Sequence, residues 1–170
     1  MNNKNMLEAK KGFFEITLIV NGEPLELAVK NGEFLLDALR RHGWKSVKKG
    51  CDTGDCGSCT VLLDGKPVLG CLVPAVTAHG RAVTTIEGLG TVRKPHALQE
   101  AFVAAGAVQC GFCIPGMILS SKALLDAVSA PTEAEIRKAL DGNLCRCTGY
   151  VKQVEAVKNA AKKLAGKRRA

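Results

Sequence analysis

Eight cysteines are the residues of this 170-residue chain best suited to chemistry. Cys51, Cys56, Cys59 and Cys71 follow the spacing C-x4-C-x2-C-x11-C, three on one loop and the fourth on a later element. Four thiolates spaced in this way suit a [2Fe-2S] cluster. The loop between them, Gly50 to Ser58, carries glycines whose backbone can adopt positive φ and turn N–H groups toward sulfur, favouring a negatively charged group. Structural zinc fits less well, because its ligands usually come as two pairs each close in sequence, and it needs no such loop. The second set, Cys110, Cys113, Cys145 and Cys147, is spaced C-x2-C-x31-C-x1-C, so it does not duplicate the first. Cys145 and Cys147 are two apart and cannot share a helix face, which puts them on irregular backbone between Gly142 and Gly149. Cys110 and Cys113 precede a helix predicted from Pro115, whose N-terminal N–H groups favour an adjacent anion. Taken alone, this set would also suit zinc; beside the first set, a second [2Fe-2S] cluster is the better reading.

Composition narrows the setting. No run of about 18 apolar residues occurs, which argues against a membrane span. Residues Met1 to Lys11 are polar and lack the apolar stretch and cleavage site of a signal peptide. A cytoplasmic location is expected, where clustered thiols hold metal more often than they form disulfides. The formal net charge of +8 raises the possibility of a zinc-stabilised nucleic-acid binder. However, much of that charge lies in Lys158, Lys162, Lys163, Lys167, Arg168 and Arg169, as expected of a solvated helix face with a frayed tail. Each oxidised cluster would also bring a charge of about −2. No nucleic-acid partner is expected.

The elements that must position these cysteines divide near Gly88. Before it the pattern is strand-like: Phe14, Ile16, Leu18 and Val20 alternate with polar neighbours, Asn21-Gly22 predicts a turn, and Leu25, Leu27 and Val29 alternate again. Phe34, Leu35, Ala38 and Leu39 have helical spacing that ends at Gly43. Thr60–Leu63 and Val68–Val73 flank Asp64-Gly65 as a second predicted hairpin, and Ala82–Ile86 reads as a closing strand. Beyond Gly88, helical periods predict helices over 95–105, 115–128, 132–140 and 151–164. Thr132 and Glu135 form a capping box at the start of the third. Such helices can bury their apolar stripes only against one another, which predicts a small bundle. The expected organisation is a flexible N-terminus (1–11), a strand-rich unit (12–88), a helical unit (89–165) and a basic tail (166–170).

Three motifs now stand together: Gly50-Cys51-Asp52 through Cys59-Thr60-Val61, Gln109-Cys110-Gly111-Phe112-Cys113-Ile114-Pro115-Gly116-Met117, and Gly142-Asn143-Leu144-Cys145-Arg146-Cys147-Thr148-Gly149-Tyr150. In this order they resemble the small iron-sulfur subunit of the molybdenum hydroxylases, the family of xanthine dehydrogenase, aldehyde oxidoreductase and aerobic carbon monoxide dehydrogenase, over nearly the whole chain. The resemblance implies an α+β fold: a plant-type, β-grasp [2Fe-2S] ferredoxin-like domain followed by a four-helix bundle that binds the second [2Fe-2S] cluster. It implies an electron-transfer subunit without catalytic residues of its own, relaying electrons from a molybdenum-pterin site on a large subunit to FAD or another acceptor. The partners implied are that large molybdopterin-binding subunit and a FAD-binding middle subunit, in a hetero-oligomer such as a dimer of heterotrimers. Gln109 and Cys147 match positions where the family places side chains against the pterin. A free-standing two-cluster ferredoxin serving several oxidoreductases is the alternative.

Other residues read more plainly. His42, His79 and His96 lie away from the cysteine motifs and are expected to be surface or packing residues, and Trp44 is expected to pack in the core. Asp52 and Asp55 lie in a loop that already carries negative charge, so they are expected to face solvent or bond loop N–H groups.

Overall fold

The computed structural model describes residues 9–10 and 12–169. Of the expected flexible N-terminus, residues 1–8 and 11 lie outside the described residues, whereas Ala9–Lys10 form a short strand, β1. β2 (Phe13–Val20) and β3 (Glu23–Lys30) pair antiparallel along their whole length. Asn21 and Gly22 both take positive φ between them, the geometry of a tight two-residue hairpin turn. The alternation read from sequence sets the inward face, since Ile16, Leu18, Val20, Leu27 and Val29 are buried. α1 (Leu35–Arg41) lies across this face with Leu35, Leu36, Ala38 and Leu39 buried.

β4 (Thr60–Leu63) and β5 (Lys66–Leu69) form the second hairpin around Asp64 and Gly65, again both at positive φ. β5 ends at Leu69 rather than at the expected Val73. A Cβ on Gly70 would lie 3.1 Å from the Cys59 carbonyl oxygen and 3.3 Å from the Leu36 nitrogen, so the chain is pressed between the cysteine loop and α1 and turns there. β6 (Ala82–Thr84) pairs parallel with β2 and antiparallel with β4, joining both hairpins into one six-stranded sheet. It ends before the expected Ile86, because Ile86–Gly88 close into a 3-10 turn.

Four helices follow: α2 (Ala97–Ala104), α3 (Ile114–Ala127), α4 (Glu133–Leu140) and α5 (Val151–Arg169). α5 runs past the expected Leu164 because Ala and Lys favour helix and a single Gly166 costs only about 1 kcal/mol. Of the expected tail, Ala170 lies outside the described residues. The helices enclose a second core around Leu98, Phe102, Met117, Ile136 and Val157. They do not pack only against one another: α3 also lies on β4 and β5. Positions 116 to 121 of α3 are consecutively buried, a helix covered all round. Among the described residues no helix is long and apolar enough to cross a membrane.

Candidate metal centres

The first cysteine loop is shaped by close approach as much as by backbone freedom. Asp52, Gly54 and Gly57 take positive φ, while Gly50 has ordinary φ but leaves room for sulfur: a Cβ there would stand 2.8 Å from Cys56 Sγ. Cys59 and Cys71, on either side of the second hairpin, are buried with their sulfurs 3.4 Å apart. Cys51 and Cys56 form the other pair, with the Cys56 N–H donating to Cys51 Sγ at 3.4 Å.

The second set converges in the same way. Cys113 lies immediately before α3, and Cys145 and Cys147 lie on the turn between α4 and α5. Cys110 and Cys147 have sulfurs 3.6 Å apart, and Cys113 meets Cys145 through a sulfur hydrogen bond. The turn is held by the Cys145 N–H donating to the Tyr150 hydroxyl at 2.7 Å, with Gly149 and Tyr150 at positive φ. All eight thiols are free of disulfides.

Each set is therefore two close pairs. Among the described residues no three His, Cys, Asp or Glu side chains converge as they would around a single ion. This donor chemistry fits a binuclear iron-sulfur group, in which each iron takes two thiolates, better than one tetrahedral zinc. The pairs also differ in acidity. Hydrogen bonds from the Thr53 hydroxyl, the Thr53 N–H and the Cys56 N–H bring the Cys51 thiol down to about 6. Burial pushes Cys59 and Cys113 up to about 12, so there only a strongly bound metal would hold the thiolate. At Cys145, burial works against ionisation but is outweighed by hydrogen bonds from the Thr148 hydroxyl and the N–H groups of Cys147 and Thr148, and its pKa falls. The Cys147 thiol is raised, chiefly by its contact with Cys110.

The two sets face each other across a tight seam. The Leu144 N–H donates to the Cys56 carbonyl at 2.9 Å. A Cβ on Gly57 would lie 2.1 Å from the Gly142 carbonyl oxygen, and one on Gly116 2.5 Å from the Gly57 carbonyl oxygen. Buried Asn143 fills the remaining space and donates to Ser120 Oγ at 2.9 Å. Sequence reasoning valued the loop glycines for backbone freedom and missed this seam, because nothing local reveals what Gly57 and Gly116 face.

The remaining candidates fall into place around these sets. Gln109 and Cys147 are exposed, and Gln109 Nε2 donates to the Cys147 carbonyl at 3.1 Å. Trp44 is half-buried against the strand-rich core. His79 and His96 hold backbone: His79 Nδ1 accepts from the Thr17 N–H at 3.0 Å, and His96 caps α2 by accepting from the Leu98 N–H at 3.2 Å. Asp52 faces solvent and pairs with Lys49 at 2.9 Å.

Comparison with known proteins matches two regions of the chain. Residues 18–79 match the 2Fe-2S iron-sulfur cluster binding domain, and residues 85–158 match the [2Fe-2S] binding domain. The chain is 48% identical to the nicotinate dehydrogenase small FeS subunit of Eubacterium barkeri, over 88% of this chain and 96% of that protein. It is 43% identical to the xanthine dehydrogenase iron-sulfur-binding subunit of Escherichia coli O157:H7, over 86% and 94%. Its fold superposes on a chain of quinoline 2-oxidoreductase from Pseudomonas putida 86 with a TM-score of 0.88 at 41% identity, covering 93% of this chain and 98% of that one. It also superposes on aldehyde oxidoreductase from Desulfovibrio desulfuricans ATCC 27774 with a TM-score of 0.87 at 47% identity, where 89% of this chain matches 17% of a longer polypeptide.

Proposed function

The chain belongs to the family of small iron-sulfur subunits of the molybdenum hydroxylases, and from that premise we propose that it is the electron-transfer subunit of an oxidoreductase complex. Cys51, Cys56, Cys59 and Cys71 hold one [2Fe-2S] cluster and Cys110, Cys113, Cys145 and Cys147 the other. The observation that carries this reading is the arrangement of both sets as two close sulfur pairs, one set within each matched iron-sulfur region. When bound, the clusters supply one-electron acceptance and release. The chain does the holding: the Thr53, Cys56, Cys147 and Thr148 N–H groups point at sulfur, and burial of Cys59, Cys71 and Cys113 keeps water from one side of each site.

The strand-rich unit (12–88) is assigned a β-grasp fold and the helical unit (89–165) a four-helix bundle, with α3 shared between the bundle and the sheet. Electrons enter from a molybdenum-pterin site on a large partner subunit and leave to FAD on a middle subunit, in a cytoplasmic hetero-oligomer such as a dimer of heterotrimers. Exposure of Cys110 and Cys147, with apolar Phe112 and Leu144 also exposed, supports placing the second site against the large subunit, where Gln109 and Cys147 would meet the pterin.

Purification under native expression tests this. A brown protein with about four irons and four sulfides per chain and two distinguishable [2Fe-2S] EPR signals on reduction is expected. It should co-purify in fixed proportion with larger molybdenum and flavin chains. Zinc in place of iron, or one binuclear signal, overturns the two-cluster assignment; an isolated monomer overturns the subunit role in favour of a free-standing carrier.

A further inference from the structure

Gln153, in the first turn of α5, is fully buried and hydrogen-bonds a threonine that lies beside a cysteine. Its Nε2 donates to the Ala107 carbonyl at 3.1 Å and also to Thr148 Oγ1. The Ala107 carbonyl can only accept, so it fixes which end of the amide faces this way: a flipped amide would set oxygen against oxygen. Gln153 Oε1 is left buried without a hydrogen-bond partner, so the orientation is kept at a penalty. Because Thr148 Oγ1 already receives a hydrogen from Gln153, its own hydrogen is free for another acceptor. Cys145 Sγ lies 3.0 Å away. As a metal-bound thiolate that sulfur carries no proton and can only accept, so the hydrogen bond runs from hydroxyl to sulfur.

The first site has a threonine in a similar place, but with its hydroxyl shared between two acceptors. The Thr53 hydroxyl contacts Cys51 Sγ but also the Asp55 carboxylate, which can only accept when ionised and competes for the single hydroxyl hydrogen. No side-chain donor to Thr53 Oγ1 is found among the described residues to play the part of Gln153.

We propose that Gln153 and Thr148 form a buried relay, Ala107 carbonyl to Gln153 amide to Thr148 hydroxyl to Cys145 sulfur, that raises the reduction potential of the second iron-sulfur site. The proposal rests on the [2Fe-2S] reading given above. Taking one electron from the partner subunit's redox centre changes the charge of the four-thiolate site from about −2 to about −3. A hydroxyl dipole aimed at one sulfur stabilises the more negative state more than the less negative one, which favours reduction. Gln153 is a positioning residue: it acts only by orienting Thr148.

The test is an EPR-monitored redox titration of the intact complex, with the first cluster as internal reference. Thr148→Val is expected to lower the reduction equilibrium constant of the second cluster about tenfold, or ~59 mV for one electron, leaving the first unchanged; Thr148→Ser restores it. Gln153→Leu should shift the second potential in the same direction, and should add nothing in a Thr148→Val background. An unchanged potential in Thr148→Val, or a Gln153→Leu shift that persists in full without the Thr148 hydroxyl, overturns the relay. Should Thr148→Val lose the second cluster, Gln153→Leu alone decides, since it substitutes no residue of the cysteine turn itself, and an unshifted potential overturns the relay there too. Absence of a second signal in the unsubstituted complex overturns the two-cluster reading itself, and the relay with it, before any variant is compared.

Discussion

Gly57 meets two separate constraints at one residue. Its φ of +70° is a conformation that L side chains rarely adopt, and a Cβ there would collide with the Gly142 backbone. Gly111 has the first constraint without the second: its φ is +83°, but nothing lies within 4 Å of an added Cβ. Gly111→Ala should therefore cost about 1–2 kcal/mol, the ordinary left-handed penalty. Gly57→Ala should cost about 3 kcal/mol or more, because no flexible side chain is available to yield. Denaturant midpoints of the two holo variants give the comparison, and equal losses would show that the seam between the cysteine sets is soft. The gathering of the cysteines into two sets was legible from their spacing, because residue type and interval are both local. Gly57, Gly116, Thr148 and Gln153 were not, because their roles depend on which distant atoms the fold brings to them.

At the scale of elements, what was readable is what is encoded locally. The capping box at α4 is local: the Thr132 N–H donates to Glu135 Oε2 at 2.7 Å, the Glu135 N–H donates to Thr132 Oγ1 at 3.3 Å, and both residues were identifiable from a three-residue spacing. Thr132→Ala should cost about 1 kcal/mol and speed amide exchange in the first turn of α4; no change in either would mean that packing of Ile136 and Leu140 alone holds the helix end. The Asn21-Gly22 and Asp64-Gly65 turns were legible for the same reason. The early end of β5 was not, because Gly70 yields to contacts with α1 and the Cys59 backbone, both remote in sequence. The backbone hydrogen bonds accepted by His79 and His96 were missed because a lone histidine carries no pattern.

For the whole molecule, the change of periodicity near Gly88 implies more independence between the two halves than the structure has. The connecting segment is pinned to the sheet: Asn21 exchanges hydrogen bonds of 3.0 and 2.8 Å with Thr85, and Glu87 accepts from Ser46. α3 is buried on both sides, Asn143 and Ser120 close the seam, and the Leu144 N–H joins one cysteine loop to the other. Burying a side chain the size of Met117, Ile118 or Leu119 is worth about 1.5–3 kcal/mol each. Exposing α3 by unfolding either half would thus forfeit a sum comparable to the ~5–15 kcal/mol that stabilises an ordinary domain. The two halves should consequently melt as one unit. Heating the holo chain should bleach the visible absorbance of both clusters in the same transition that removes helical circular dichroism, while two separated transitions would show that the seam contributes little. Shared melting also has a functional reading. A carrier whose two sites are built on opposite sides of one rigid seam keeps a fixed distance between them, whereas two domains on a flexible tether would not.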